Sequence, residues 1–151
     1  MLDSILNTMN NKQVMTLQQI YDTVCSHLLT QKQRSVGADN HCKYRTVSDD
    51  GCALMCAVGC LIKDSEYYKA LERNISKSDR VLVALYNSNV LTTEEYLNDS
   101  NSTKLSEKYV FLRKLQIIHD DTPELQWHKN LQEIGLDYNL DISILNSFAE
   151  G

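Results

Sequence analysis

Proline and glycine are scarce in this chain, with one and five among 151 residues. So few turn-formers argue against a turn-rich all-β fold and favour long helices. Positive charge is also short: 15 Lys and Arg stand against 20 Asp and Glu, for a net charge of −5. A nonspecific nucleic-acid binder needs a basic surface to displace counterions, so nucleic acid is not expected as a partner. No run of five like charges occurs, which argues against an acidic stripe mimicking DNA. The longest apolar stretch, "CALMCAVGCLI", has 11 residues, too short to span a bilayer. The N-terminus lacks the basic and apolar regions of a signal peptide. "SVGADN" at 35–40 lacks the Lys-Ser/Thr ending of a phosphate loop and the dinucleotide pattern. These absences together predict a cytoplasmic protein with no membrane attachment and no cofactor.

What remains is ordinary globular material, 42% hydrophobic and 23% charged, in a length that suits one domain over 1–151. Residues 2–9 place Leu2, Ile5, Leu6 and Met9 on one helical face, as a short first helix or an arm within 1–15. Thr16 and Gln19 form a capping-box pair before an apolar stripe of Leu17, Ile20, Tyr21, Val24 and Leu28, predicting a helix over 17–31. Residues 32–41 read as a loop, and "CKYRTV" at 42–47 as a short strand. "SDDG" then turns the chain. "CALM" fits either a return strand or the start of a helix, and "CAVGCLI" is apolar on every side and therefore buried.

Asp64 is placed to cap a helix over 65–73. Val81, Leu82, Leu85 and Tyr86 share a face of another helix, and Thr92 or Thr93 caps the one after it. A long periodic segment over 105–118 carries Leu105, Tyr109, Leu112, Leu115 and Ile118. Thr122, Pro123, Glu124 and Gly135 read as cap, first position, first turn and stop of a further helix, and a last short helix follows. The expected fold is mainly α (α+β): one compact helical domain, a short β-strand or hairpin around 42–56, and "CAVGCLI" packed on the 105–118 helix.

Five cysteines, an odd and clustered set, predict free thiols in a reducing compartment. Three readings of them compete. As metal ligands, Cys52, Cys56 and Cys60 fail on one helix, because a rise of ~1.5 Å per residue puts the outer two about 12 Å apart. A site of His41, Cys42, Cys52 and Cys56 remains open if 52–55 is strand or loop. As a nucleophile, Cys52 or Cys56 would need His119 or His128 as base and Asp120 or Asn130 as orienting group. Asp50-Gly51-Cys52 is faintly similar to the nucleophile region of ovarian-tumour-type deubiquitinases. As filling, the cysteines are small hydrophobes in a slim segment, with Ala53, Ala57 and Gly59 letting neighbours approach; this reading is preferred, and no catalytic residue or metal site is expected.

"IIHDD" at 117–121 matches the His-Asp pair of metal phosphohydrolases but lacks that class's further ligands, and Trp127, Leu131 and Ile134 read as core. Tyr44 and Arg45 stand out on the short strand. Arg45 is expected to pair with a carboxylate such as Asp64 or Glu72, with phosphate binding as the rival role.

One set of residues carries a resemblance. Cys42-x-Tyr44-Arg45, then Gly51, then Cys56-Ala57-Val58-Gly59-x-Leu61-Ile62, then Tyr67 or Tyr68 with Leu71-Glu72, then Leu115-Gln116-x-x-His119-Asp120 and Trp127, resembles a family of small uncharacterised bacteriophage and bacterial proteins over about 16–135. The resemblance implies an accessory protein acting on a host component, in the host cytoplasm, with no established activity. It centres on Cys42 and Cys56, which weakens a Cys52 nucleophile. The expected function is non-catalytic binding of a host protein, in host takeover or anti-defence, through a groove near Tyr44, Arg45, His119 and Asp120. A cysteine hydrolase and a small-nucleotide binder are the alternatives, and homo-oligomerisation stays open.

Overall fold

A computed structural model describes residues 13–73, 79–101 and 105–148; the amphipathic segment at 2–9 lies outside these. The fold is mainly α, with one two-stranded antiparallel sheet among the described residues. The helices are α1 (Leu17–Gln31), α2 (Asp79–Asn87), α3 (Thr93–Asn101), α4 (Glu107–Asp121) and α5 (Trp127–Asp137), and the strands β1 (Arg45–Val47) and β2 (Ala53–Met55). Helix α1 starts at the capping box: the Gln19 N–H donates to Thr16 Oγ1, and the Thr16 N–H to Gln19 Oε1. Its stripe of Ile20, Tyr21, Val24, Cys25 and Leu28 is completely buried. Helices α4 and α5, the turn at Gly59–Leu61 and the closing turn at Ser143–Ser147 all pack on α1. Among the described residues the buried apolar side chains, Leu54 aside, form one continuous cluster that includes Trp127, Phe111, Leu115 and Leu131.

The β element is a hairpin, with Arg45 opposite Met55 and Val47 opposite Ala53. Gly51 closes its turn at φ 87°, a left-handed conformation that suits glycine. "CAVGCLI" is not a helix: after β2 it makes a tight turn and a single 3-10 turn, Gly59–Leu61. Its 3-10 turn packs on α1, and the residues before that turn meet α4, where the Val58 N–H donates to Gln116 Oε1.

Four other expectations are corrected. Residues 65–73 form two 3-10 segments, Asp64–Glu66 and Lys69–Arg73, not an α-helix. Thr122 does not cap the following helix: it closes α4, its hydroxyl donating to the Ile118 carbonyl. After Pro123 the chain makes the 3-10 turn Glu124–Gln126 before α5 begins at Trp127. Gly135 lies inside α5 and does not stop it. A Cβ there would stand 2.6 Å from both Tyr21 Oη and Ile142 Cγ2, so the glycine serves close packing of α5 on α1. The Tyr21 hydroxyl in turn donates to the Leu131 carbonyl at 2.8 Å.

Candidate functional site

The polar residues of the sequence pattern converge where the hairpin meets the C-terminal half of α4. Three elements bring them there. The chain before β1 runs beside α4 and is pinned to it by Arg34, which donates to the carbonyls of His119 and Thr122. The turn after β2 sits under Tyr44, whose carbonyl accepts the Cys56 N–H at 3.2 Å. The 3-10 segment Lys69–Arg73 then presents Glu72 to the same strand start. Glu72 Oε1 accepts the Tyr44 N–H at 2.8 Å, and Oε2 accepts the Arg45 N–H at 2.9 Å and the Tyr67 hydroxyl at 2.7 Å. A carboxylate taking two successive backbone N–H groups fixes that backbone in place by charge-assisted bonds.

The result is a half-open cleft of about 160 Å³ whose lining includes Cys42, Tyr44, Cys56, Glu72, Gln116 and Asp120, with His41 and Lys43 beside them. His119 lies behind it, fully buried and stacked on Trp127 with ring centroids 5.6 Å apart. Its environment fixes its proton. Nε2 faces the backbone N–H of Ser35 at 2.9 Å, which only donates, so Nε2 is the acceptor. The neutral ring's proton is therefore on Nδ1, which donates to Asp120 Oδ1 at 2.6 Å. Gln116 Nε2 donates to the same oxygen at 2.8 Å. Burial pulls the Asp120 carboxyl upward, but the bonds from His119 and Gln116 outweigh it and hold the group below the ordinary carboxylate range. Asp120 is thus an ionised acceptor at neutral pH, backed by a ring that is already in use.

Of the four residues expected to form the groove, Tyr44 and Asp120 line the cleft directly, and His119 supports Asp120 from within. Arg45 points elsewhere. Its guanidinium bonds Asp64 Oδ1 at 2.7 Å and the Ile62 carbonyl, and lies 4.8 Å from the Tyr67 ring centroid. This is the structural pairing with Asp64 that the strand position suggested, and it leaves neither terminal nitrogen directed at a phosphate. Glu72 contributes to Arg45 through the backbone, a role that no sequence spacing displays.

The thiols are spread over different environments. Cys52 is exposed at the hairpin turn, in a groove shared with Ser26, His27 and Met55 and separate from the cleft. Its N–H donates to Ser48 Oγ, and it stands in a turn, not at a helix N-terminus. Cys56 is buried and its sulfur accepts the Gly59 N–H. Burial pushes its thiol well above the ordinary range. Cys42 is half-buried, and burial, followed by the adjacent Asp120 carboxylate, pushes its thiol up to about 11. Such a group stays protonated at neutral pH and is a poor nucleophile. Alkylation of the native protein with iodoacetamide near neutral pH is therefore expected to mark Cys52 first, with Cys25 and Cys56 protected until unfolding. Rapid labelling of Cys42 or Cys56, resolved by peptide mass, is the outcome that contradicts this assignment.

Cys42, His119 and Asp120 offer a sulfur, a nitrogen and an oxygen within 4.8 Å of one another, a constellation a metal ion uses elsewhere. The ring does not fit that role. A histidine bound to metal through Nδ1 donates its other N–H to an acceptor, whereas Nε2 of His119 faces a donor, the Ser35 N–H. Of the four-residue metal set His41, Cys42, Cys52 and Cys56, the cleft gathers His41, Cys42 and Cys56, and Cys52 is separate from them. Among the described residues no helix is long and apolar enough to cross a membrane. Comparison of the chain with family models, with curated proteins and with solved structures finds no match.

Proposed function

We propose that this protein acts without catalysis, by binding a partner protein through the cleft between the hairpin and α4. One observation carries the reading: the polar groups that catalysis would need are spent on the protein itself, and a preorganised cleft remains. His119 Nε2, the nitrogen that would serve as base, is engaged by the Ser35 N–H. The cleft around Asp120, in contrast, is half-open and its walls are fixed by Glu72 and Gln116, the arrangement that limits ordering cost on binding. The resemblance to phage and bacterial accessory proteins makes a host protein the partner class, and host takeover or anti-defence the setting. This reading takes precedence over a cysteine hydrolase, since Cys56 is buried and Cys52 lies in a separate groove from the cleft that His119 backs, and over a nucleotide binder, for which Arg45 is engaged.

His41 is exposed at the mouth of the cleft, so His41→Trp covers the opening without entering the core. Bait of the wild-type chain, cross-linked in lysate of a candidate host, is expected to retain a discrete partner that the folded His41→Trp bait loses. Equal retention by both baits places the interface elsewhere and defeats the proposal.

A further inference from the structure

The chemistry of the cleft narrows what enters it, and this step rests on the binding function just proposed. Its fixed charges are negative on two sides. Asp120 supplies one carboxylate, anchored through Oδ1 by Gln116 and His119, with its side chain 32% exposed. Glu72 supplies the other from the facing 3-10 segment. Helix α4 ends at Asp121, so the negative end of its dipole lies beside Asp120.

Among the described side chains, three nearby cations are already committed. Lys43 at the rim pairs with Asp39 at 3.1 Å. Arg34 is used by the carbonyls of His119 and Thr122 and by Glu124 at 3.5 Å. The Arg45 guanidinium is held by Asp64 and the Ile62 carbonyl. An anionic ligand would meet these two carboxylates, while Lys43, Arg34 and Arg45 are each already paired. Size gives a second constraint. A cavity of about 160 Å³ is below the roughly 300–1,000 Å³ of cofactor and drug-sized pockets, and fits the end of one side chain.

We infer that the cleft receives one cationic, hydrogen-bond-donating group, the ammonium or guanidinium of a Lys or Arg side chain on the protein partner, with Asp120 as its acceptor. Bringing an ionised donor to a partly desolvated carboxylate gives the charge-assisted bond that anchors such side chains at interfaces. The protein's net charge of −5 aids the approach of a basic partner.

The test titrates the full chain with n-butylammonium and with n-butylguanidinium, and in parallel with n-butyrate and n-butanol, following backbone amides by NMR. Saturable shifts at Cys42, Tyr44 and Asp120 are expected from one or both cations and not from butyrate or butanol, and they weaken as salt is raised. Asp120→Asn is expected to reduce cation affinity about tenfold, as loss of one charged partner implies. Should that variant misfold, the salt dependence on the wild-type chain carries the same test. Butyrate binding at these residues, or no saturable response to either cation, overturns the assignment. Partner capture that is lost in His41→Trp, alongside silent cation probes, leaves the binding function standing and removes only the cationic ligand. Cation binding with no cleft-dependent partner does the reverse, and points to a free amine as the ligand.

Discussion

Gly59→Ala is expected to cost about 3 kcal/mol or more, at the upper end of what overpacking produces. A Cβ at this position would lie 2.1 Å from the Tyr44 carbonyl oxygen and 2.8 Å from its carbonyl carbon. Both are backbone atoms and cannot rotate away as a side chain would. The Tyr44 carbonyl is also the acceptor for the Cys56 N–H, so retreat of the strand start breaks that bond. It would also disturb the Tyr44 N–H bond to Glu72. One methyl group therefore separates the hairpin from the turn beneath it and distorts the Tyr44 wall of the cleft. Urea denaturation with far-UV circular dichroism measures the loss. A midpoint within error of the wild type would show that the turn and strand are farther apart than described. Gly51→Ala makes a contrasting control: no atom comes within 4 Å of its Cβ, so only the positive φ opposes the change.

The second large effect is at Glu72, where even the conservative replacement is expected to be damaging. Glu72 accepts three donors with two oxygens. Glutamine keeps one acceptor oxygen and turns an NH₂ toward a backbone N–H that also donates. At least one backbone donor then loses its partner at the partly buried start of β1. Glu72→Gln is thus expected to lose about 2–3 kcal/mol, and Glu72→Ala more, since bonds to a charged acceptor carry roughly 1.5–3 kcal/mol each and alanine leaves all three donors unpaired. A Glu72→Gln variant within about 0.5 kcal/mol of wild type, the range of ordinary surface changes, would show that Glu72 does not hold the strand. Tyr67→Phe removes a single donor and is expected to cost about 1 kcal/mol, which separates the hydroxyl's share from that of the backbone.

Local signals made α1 legible. The Thr16–Gln19 box and an unbroken stripe of apolar residues specify its start and its buried face, and tertiary packing agrees with both. The hairpin was half legible: β-favourable residues at 42–47 and the turn at "SDDG" pointed to it, whereas the return strand depended on pairing that only the fold supplies. Residues 56–62 had no periodicity to read, because a segment buried on all sides is apolar on all sides. Gly135 resembled a helix stop, yet its reason for being glycine is the Tyr21 hydroxyl, over a hundred residues away. Between 64 and 73 a helical pattern gave way to 3-10 turns that place Glu72 against backbone N–H groups 27 and 28 residues earlier.

The candidate site divides in the same way. Tyr44, His119 and Asp120 stand out in the sequence as polar residues beside apolar runs, and they do gather at one place. The partner that sets the state of His119 is a backbone N–H, at Ser35, and every residue type but proline offers one. Glu72 was visible as a possible partner for Arg45, but its bonds run to the main chain, where composition is silent. Side-chain types thus indicated which groups would cluster, and the backbone decided what each could do.

The proton on the His119 ring tests the central claim most directly, since a binding cleft rather than a catalytic or metal centre depends on it. Two-bond and three-bond ¹H–¹⁵N correlation of the imidazole in the native protein at neutral pH reads the tautomer. The account predicts a neutral ring with hydrogen on Nδ1 and a bare, hydrogen-bonded Nε2. A ring with hydrogen on Nε2 and a bare Nδ1 facing Asp120 and Cys42 would contradict it.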